Sequence, residues 1–373
     1  MRIAFIYDGA YPWIKGGVEK RVYEIGRRLA ERGHDVHWYC VGWWLDENDE
    51  RDIEIDGIKY HGVCGPLDLY VNGRRSIKAA LKFSISLLKP LLNEKFDLID
   101  CQQFPYFSCF SAKIASLVNR STLIITVIEY WGSYWYEYLG IKGFLGKIIE
   151  KATFRLTKNI ITISKHVKDD VEINGINVLR VIPYGIDIGK IERVKPAELS
   201  SDVIFAGRII EHKNIDVLIK AIHLLKDEFP DIKCLIIGEG PEKPRCKKMV
   251  EELDLQDNIK FLDFLNDEND LIAYMKSSRI FVLPSTREGL GIVVLEANAA
   301  GLPVVTIDTP TNAAKDLVKD GYDYLCPLSP KEIAASIKEL IISDQGFKGS
   351  LRDYDWNKII NDLEKIYMDL ITN

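Results

Sequence analysis

Two glutamates, Glu288 and Glu296, stand eight positions apart in "REGLGIVVLEANAAG", residues 287–301. The preceding "RIFVLPS" reads as a strand, "TREGLG" as a glycine-bearing loop, and "IVVLEANAA" as a helix closed by Gly301 with Pro303 beyond. In an unbroken helix, eight steps would separate the two carboxylates by ~12 Å and ~80° around the axis. With Glu288 in the loop, both can instead line one elongated ligand. Gly289 and Gly291 let the backbone approach that ligand, and the amides of the first helical turn form an anion-accepting end. Glu296 has Ile292, Val293, Ala299 and Ala300 as helical neighbours, so the pattern predicts a carboxylate sunk into a buried helix. Burying such a group is costly unless it is paired or hydrogen-bonded. It then forms a buried salt bridge, caps a nearby loop, or serves as a fixed acceptor for ligand hydroxyls such as a ribose diol.

A second constellation is cationic. In "FAGRIIEHKNIDVLIKA", Arg208 directly follows a strand and Gly207, and Lys213 comes five residues later at a helix start. Two cations beside helix-end amides suit a diphosphate, which arginine can grip with two parallel bonds; the alternative is a pair of solvated surface charges. "GEGPEK" (238–243) follows another strand and either wraps a base or phosphate or is a proline-terminated turn. "KGGVEK" puts Gly16 and Gly17 at the first strand-to-helix turn. Neither the dinucleotide fingerprint nor the P-loop pattern occurs. The six histidines and the acidic runs "DENDE" (46–50) and "DEND" (267–270) show no metal-ligand spacing and read as solvated loops, so no metal is expected.

These residues need strand ends to hold them, and the rest of the chain supplies them. "RIAFIYDG", "HDVHWYC", "FDLIDCQ", "STLIITVIEY", "KNIITIS" and "VLRVIPYG" read as strands with helical patterns between several of them. A second series begins at "SDVIFAGRI" and continues through "IKCLIIGEG", "IKFLDFL", "SRIFVLPS" and "LPVVTID". Such alternation implies parallel sheets covered by helices. The proline- and charge-bearing "IDIGKIERVKPAELS" (186–200) marks the boundary. The expected fold is α/β: two doubly wound domains facing across a cleft, residues 1–185 and 186–354, with ligands beyond the carboxyl ends of the strands.

Composition limits the alternatives. At 373 residues the chain is long enough for two domains of the usual ~100–200 residues. A net charge of -6 and a pI near 5.7 argue against nucleic acid as a partner. Seven scattered cysteines without C-x-x-C spacing read as reduced residues of a cytoplasmic chain. The chain opens directly on a strand, so no signal peptide is expected, and no apolar run reaches the ~20 residues that span a bilayer. "NGRRSIKAALKFSISLLKPLLNEKF" (72–96) mixes Arg74, Arg75, Lys78, Lys82 and Lys89 with Ile77, Leu81, Phe83, Ile85, Leu87 and Leu88. Such a helix either lies on an anionic membrane surface or packs on its own sheet.

Taken in order, "GGVEK", "TISKHVKDDV", "VIPYGID", "FAGRIIEHKNIDVLIKA", "IIGEGPE" and "STREGLGIVVLEANAAGLPVV" resemble the retaining glycosyltransferases of family four (glycosyl transferases group 1), which have the GT-B fold of two Rossmann-like domains. The resemblance covers nearly the whole chain. It implies a nucleotide-diphospho-sugar donor held mainly by the C-terminal domain, without a metal or other cofactor. Glu296 would take the ribose hydroxyls, Arg208 and Lys213 the diphosphate, and Glu288 with the amides of Gly289, Leu290 and Gly291 the sugar. Catalysis would fall to Glu288, Arg208 and Lys213. Gly238, Glu239 and Phe264, in "GEGPE" and "FLDFL", would border the base, and Gly16 and Gly17 would let the N-terminal domain close on the phosphates. Residues from about 355 to 373 would cross back to complete the first domain.

Three departures from the family pattern stand out. Ile128 replaces a usual histidine, with Glu129 at the acid after it; Tyr184 replaces an asparagine; and "NAAKDLV" (312–318) replaces a more usual "GGxPEL[IV]". The implied function is transfer of a sugar to a hydroxyl acceptor, which would be a glycan, a glycolipid or a small molecule, by a cytoplasmic enzyme working in solution or at the inner face of the membrane. The acceptor would meet N-terminal loops including "CGPLDLYVNGRR" and the aromatic "EYWGSYWYEYLGIKG", whose rings stack on sugar faces, border a lipid headgroup, or fill space between domains. An epimerase or phosphorylase of the same architecture and a non-catalytic nucleotide-sugar-binding scaffold remain the alternative readings.

Overall fold

The computed structural model describes every residue except 46–49, 72–73, 266 and 373. The first four of those fall in the acidic run "DENDE", and 72–73 in the loop "CGPLDLYVNGRR", so the readings of those stretches lie in part outside the described residues. The chain forms two compact units, residues 1–184 with 357–373, and residues 185–356.

The first unit contains β1 (Arg2–Ile6), α1 (Gly17–Glu31), β2 (Asp35–Cys40), β3 (Asp52–Ile55), β4 (Ile58–Gly62), the short pair β5 (Tyr70–Val71) and β6 (Arg74–Arg75), α2 (Ile77–Asn93), β7 (Leu98–Gln102), α3 (Tyr106–Asn119), β8 (Thr122–Val127), α4 (Tyr134–Leu139), α5 (Gly143–Thr153), β9 (Ile160–Thr162), α6 (Lys165–Ile173) and β10 (Arg180–Val181). Its main sheet runs β10-β9-β8-β7-β1-β2-β4-β3, and only the edge strand β3 is antiparallel to its neighbour. β1 and β7 are buried along nearly their whole length, as parallel strands covered on both faces must be. The β3–β4 hairpin was not anticipated; it turns at Asp56 and Gly57, both at positive φ. β10 is shorter than "VLRVIPYG" suggested, because only Arg180 and Val181 pair with β9.

The second unit contains α7 (Ile188–Arg193), β11 (Ser201–Ala206), α8 (Ile215–Lys226), β12 (Cys234–Ile237), α9 (Lys243–Glu252), β13 (Ile259–Leu262), α10 (Glu268–Lys276), β14 (Ser278–Leu283), α11 (Ile292–Ala299), β15 (Val304–Ile307), β16 (Tyr324–Cys326) and α12 (Pro330–Ser343). Its sheet, β13-β12-β11-β14-β15-β16, is parallel throughout. The segment read as a boundary holds α7, and Lys276 Nζ ties it down by donating to the carbonyls of Glu192 and Val194, 2.8 Å each.

The closing helix α13 (Trp356–Thr372) buries Ile359, Ile360, Leu363 and Tyr367 at helical spacing. Tyr367 Oη donates to Asp100 on β7, a fully buried carboxylate that also accepts from Thr126 Oγ1 at 2.7 Å and Gln102 Nε2 at 3.1 Å. Burial raises the Asp100 pKa, and these donors with the nearby Arg21 oppose the rise.

Among the parallel strands the order reverses at one place in each sheet: between β1 and β7 in the first, and between β11 and β14 in the second. At such a switch point the loops leave in opposite directions and open a crevice at the carboxyl ends of the strands.

Candidate active site

Most of the sequence-predicted site residues of the second unit follow the two strands at its switch point, β11 and β14. Arg208 and Lys213 follow β11, and Glu288 follows β14, the adjacent strand. Lys213 Nζ and Glu288 Oε1 form a hydrogen-bonded ion pair, with the two side chains only 13% and 14% exposed. Arg208, two residues beyond the end of β11, is exposed. Asn214, in the left-handed conformation, turns the chain into α8, and its side chain donates to the Pro284 carbonyl at 2.9 Å.

The loops are laced together by backbone groups and by short side chains. Thr286 N donates to the His212 carbonyl at 3.0 Å. Glu288 N donates to the Thr311 carbonyl at 3.1 Å, and Ala313 N to the Glu288 carbonyl at 3.0 Å. The hydroxyls of Thr309 and Thr311 both bond the Thr286 carbonyl, at 2.9 and 2.6 Å. Asn312, which stands where a glycine is usual, is wholly buried; its amide nitrogen donates to the Ile307 carbonyl at 2.7 Å and its oxygen accepts from Ala314 N at 3.1 Å. Glu288 therefore has its backbone fixed on both sides, and its side chain is directed to Lys213.

Gly291 caps α11 at φ +80, and a Cβ there would lie 2.6 Å from Ala314 Cβ, so both conformation and space call for glycine. Leu290 anchors the loop in the core, and Gly289 lies half-buried between Glu288 and Leu290. Glu296 lies four residues past the start of α11, roughly 6 Å along its axis. It is half-buried and not sunk into the core, contrary to the sequence-based expectation. α11 buries Val294, Leu295, Ala297 and Asn298, whereas Ile292, Val293, Glu296, Ala299 and Ala300 form the less covered face. The apolar residues Ile292, Val293, Ala299 and Ala300 on that face are only partly buried, so their composition alone does not mark a core.

The loop after β12 joins the same ring. A Cβ on Gly238 would fall 1.9 Å from the Gly207 carbonyl oxygen, so this approach is open only to glycine. Ile209 N donates to the Glu239 carbonyl at 2.8 Å. Lys243, which the motif reading passed over, is buried; its Nζ bonds the Gly238 carbonyl (3.0 Å), Glu239 Oε1 (2.7 Å) and Asp263 Oδ1 (2.6 Å). It pins the loops that carry Glu239 and Phe264; Phe264 itself is exposed after the edge strand β13. His212 was also missed. Burial, and then the neighbouring Lys213, push its pKa down to about 4, so the ring is neutral at neutral pH.

Gly16 and Gly17 belong to the other unit, at the start of α1. A Cβ on Gly16 would lie 2.3 Å from Glu19 Oε2, and one on Gly9 2.5 Å from Glu19 Oε1, so the buried Glu19 occupies the space beside both glycines. Gly17 is less constrained, with Tyr184 Oη 3.6 Å from a notional Cβ. Tyr184 is itself buried, and the Arg21 guanidinium carbon stands 5.7 Å from its ring centre.

After β8, the loop carrying Ile128 and Glu129 is held by side chains. Gln103 Oε1 accepts from Ile128 N at 2.8 Å, and its amide nitrogen donates to the Glu129 carbonyl. The buried Glu150 on α5 accepts from Trp131 N and Gly132 N at 2.9 Å each and from Tyr106 Oη at 2.8 Å. Burial raises the Glu150 pKa, and these donors hold the rise back. The aromatic residues pack on one another: Trp131 has ring centres 4.6 Å from Trp135, 4.9 Å from Tyr138 and 5.1 Å from Tyr134 and Phe104. Nearby, Asp8 at the end of β1 is buried and accepts from Arg75 at 2.9 Å.

Comparison with known proteins agrees with this architecture. Residues 15–190 match the family model Glycosyltransferase Family 4, and residues 190–354 match Glycosyl transferases group 1. An uncharacterised glycosyltransferase of Haemophilus influenzae is 31% identical over 334 residues, spanning 88% of this chain and 87% of that one. Among solved structures, sucrose-phosphate synthase from Thermosynechococcus elongatus superposes with a TM-score of 0.82 at 20% identity, covering 100% of this chain and 99% of the other. An Anabaena protein in complex with UDP and glucose superposes with a TM-score of 0.74 at 18% identity, covering 99% and 100%. The fold is thus GT-B, and the chain is a glycosyltransferase that belongs to the group 1 glycosyl transferases of family four.

Proposed function

We propose that this enzyme takes its sugar from a nucleoside-diphosphate donor and transfers it to a hydroxyl acceptor with retention of anomeric configuration and without a metal ion. The observation that carries the reading is the Lys213–Glu288 pair at the β11/β14 switch point, with Arg208 exposed just beyond β11 and Glu296 on the less covered face of α11. That an Anabaena protein of the same fold was solved in complex with UDP and glucose supports a uridine-linked sugar as the first donor to test, with guanosine-linked sugars beside it.

In this reading the diphosphate lies against Arg208, Lys213 and the first-turn amides of α11, with Glu296 accepting from the ribose hydroxyls. The backbone amides of Gly289, Leu290 and Gly291 and the Glu288 carboxylate face the sugar, and Gly238, Glu239 and Phe264 border the base. As the bond from anomeric carbon to phosphate oxygen breaks, negative charge grows on the diphosphate and positive charge on the sugar. Arg208 and Lys213 stabilise the first, and Glu288 favours the second. Charges already fixed in place need no reorganisation as the reaction proceeds. The acceptor oxygen bonds the anomeric carbon on the face the phosphate leaves, and its proton passes to the departing phosphate oxygen. The buried free cysteines fit a reducing, cytoplasmic setting.

The test is a panel of UDP- and GDP-sugars with candidate acceptors, reading product and anomeric configuration by NMR. Glu288→Ala and Arg208→Ala should each lower kcat by about 10²–10³-fold. Transfer by either variant at the wild-type rate would remove these residues from the site, and an inverted product would remove the stereochemical assignment.

A further inference from the structure

We propose that the face of the first unit built from α2, α3, α4 and α5 is a docking surface for an anionic lipid bilayer. β7, β8 and β9 succeed one another in the same direction across the sheet, so right-handed crossovers place α2, α3 and α5 on one side of it. α3 packs against both α2 and α5, and α4 packs against α5, which makes the outer surface continuous.

That surface is apolar and basic together. α2 buries Phe83, Leu87 and Leu91 but exposes Ile77, Leu81 and Ile85 at four-residue spacing, the last 68% exposed, with Lys78, Lys82 and Lys89 alongside. α3 exposes Ile114, Leu117 and Val118 next to Lys113. The α4–α5 segment exposes Ile141, 90% accessible, and then Phe144, Leu145 and Ile148 among Lys142, Lys147 and Lys151. Among the described residues, the other helices expose such side chains singly: Ile173 on α6, Leu224 on α8, Ile342 on α12 and Met368 on α13.

Charge identifies the occupant. α2 and α3 contain no aspartate or glutamate, and of the two glutamates in α4–α5, Glu150 is buried and bonded inward. In a chain of net charge -6, this face is basic. A second copy meeting it symmetrically would set lysines against lysines. An anionic bilayer matches both features, since lysines reach the phosphates while isoleucine and phenylalanine enter the acyl boundary. Among the described residues no helix is long and apolar enough to cross a membrane, so the contact is one of lying on the surface.

Vesicle co-sedimentation of the full chain tests this without donor or acceptor, and so independently of the proposed chemistry. Binding is expected to phosphatidylcholine vesicles containing phosphatidylglycerol, and should be at least about tenfold weaker to phosphatidylcholine alone or in high salt. Replacing Lys142, Lys147 and Lys151 by Gln should weaken it by on the order of 100-fold, at about fivefold per lysine. Ile141→Ser with Phe144→Ser should weaken it with every charge kept, whereas Ile342→Ser should not. All of these positions but the half-buried Lys147 are exposed, and unchanged melting temperatures would confirm intact folding. Absence of binding to the anionic vesicles at low salt, equal binding by all variants, or a dimer that Ile141→Ser dissociates would each overturn the proposal.

Discussion

In the second unit the loops leaving β11, β14 and β15 are joined by backbone bonds, Thr286 N to the His212 carbonyl and Glu288 to Thr311 and Ala313, together with the short side chains of Asn214, Thr309 and Thr311. In the first unit the loop leaving β8 is held by side chains, Glu150 from α5 and Gln103 from the end of β7. The contrast is in what remains for a ligand. In the second unit the backbone bonds that join the loops do not depend on which side chain stands at position 213 or 288. Side-chain lacing commits a buried carboxylate to structure and turns Trp131, Trp135 and Tyr138 onto one another. Under the proposed function the first arrangement would hold the diphosphate common to all donors, and the second, whose shape depends on each residue in the loop, would face the acceptor.

The largest effect that would sharpen this contrast is catalytic. Lys213→Ala should reduce kcat by about 10²–10³-fold while the backbone bonds persist and the secondary structure, read by circular dichroism, is unchanged. Next comes a loss of stability in the first unit. Glu150→Ala leaves two backbone amides and the Tyr106 hydroxyl without their acceptor, and should cost about 3 kcal/mol in urea denaturation at about 1 kcal/mol or more per orphaned donor. A denaturation curve unaltered by that change would remove the distinction between the two kinds of lacing. Gly291→Ala should cost about 2 kcal/mol, from the left-handed backbone and the contact with Ala314 together. The smallest effect is with pH. His212 resists protonation when folded, so its contribution to stability is complete above the unfolded value of 6.5 and is lost as the pH falls through that value toward about 4. Denaturation midpoints for wild type and His212→Gln should diverge only across that window.

Much of this was legible in the sequence because the second unit's chemistry sits where the pattern changes from strand to loop. Arg208 and Glu288 each lie just beyond an apolar strand, and Gly207, Gly289 and Gly291 mark the turns. Glu150 and Lys243 carry no such mark: each is one charged residue in a helix, and its burial depends on what folds over it. The β3–β4 hairpin did carry a signal, Asp56-Gly57 between alternating residues, but β3 is half-exposed and charged and so lacks the apolar run of the central strands. For Glu296 the sequence pattern marked the helix correctly and misassigned its faces. Small apolar side chains pack into a core and flank a ligand equally well, and only the tertiary structure separates the two.

The central claim is that the second unit divides a nucleotide between two clamps, cations for the diphosphate and Glu296 for the ribose. Calorimetry of wild type, Lys213→Ala and Glu296→Ala, each with a nucleoside and its diphosphate, using whichever of the uridine and guanosine series binds, tests it most directly. The account predicts that Lys213→Ala weakens the diphosphate by about tenfold or more and leaves the nucleoside unchanged, because a charge-assisted bond of about 1.5–3 kcal/mol is lost from one ligand only. Glu296→Ala should weaken both ligands by a similar factor. Equal losses for nucleoside and diphosphate with Lys213→Ala, or wild-type affinity with Glu296→Ala, would contradict it.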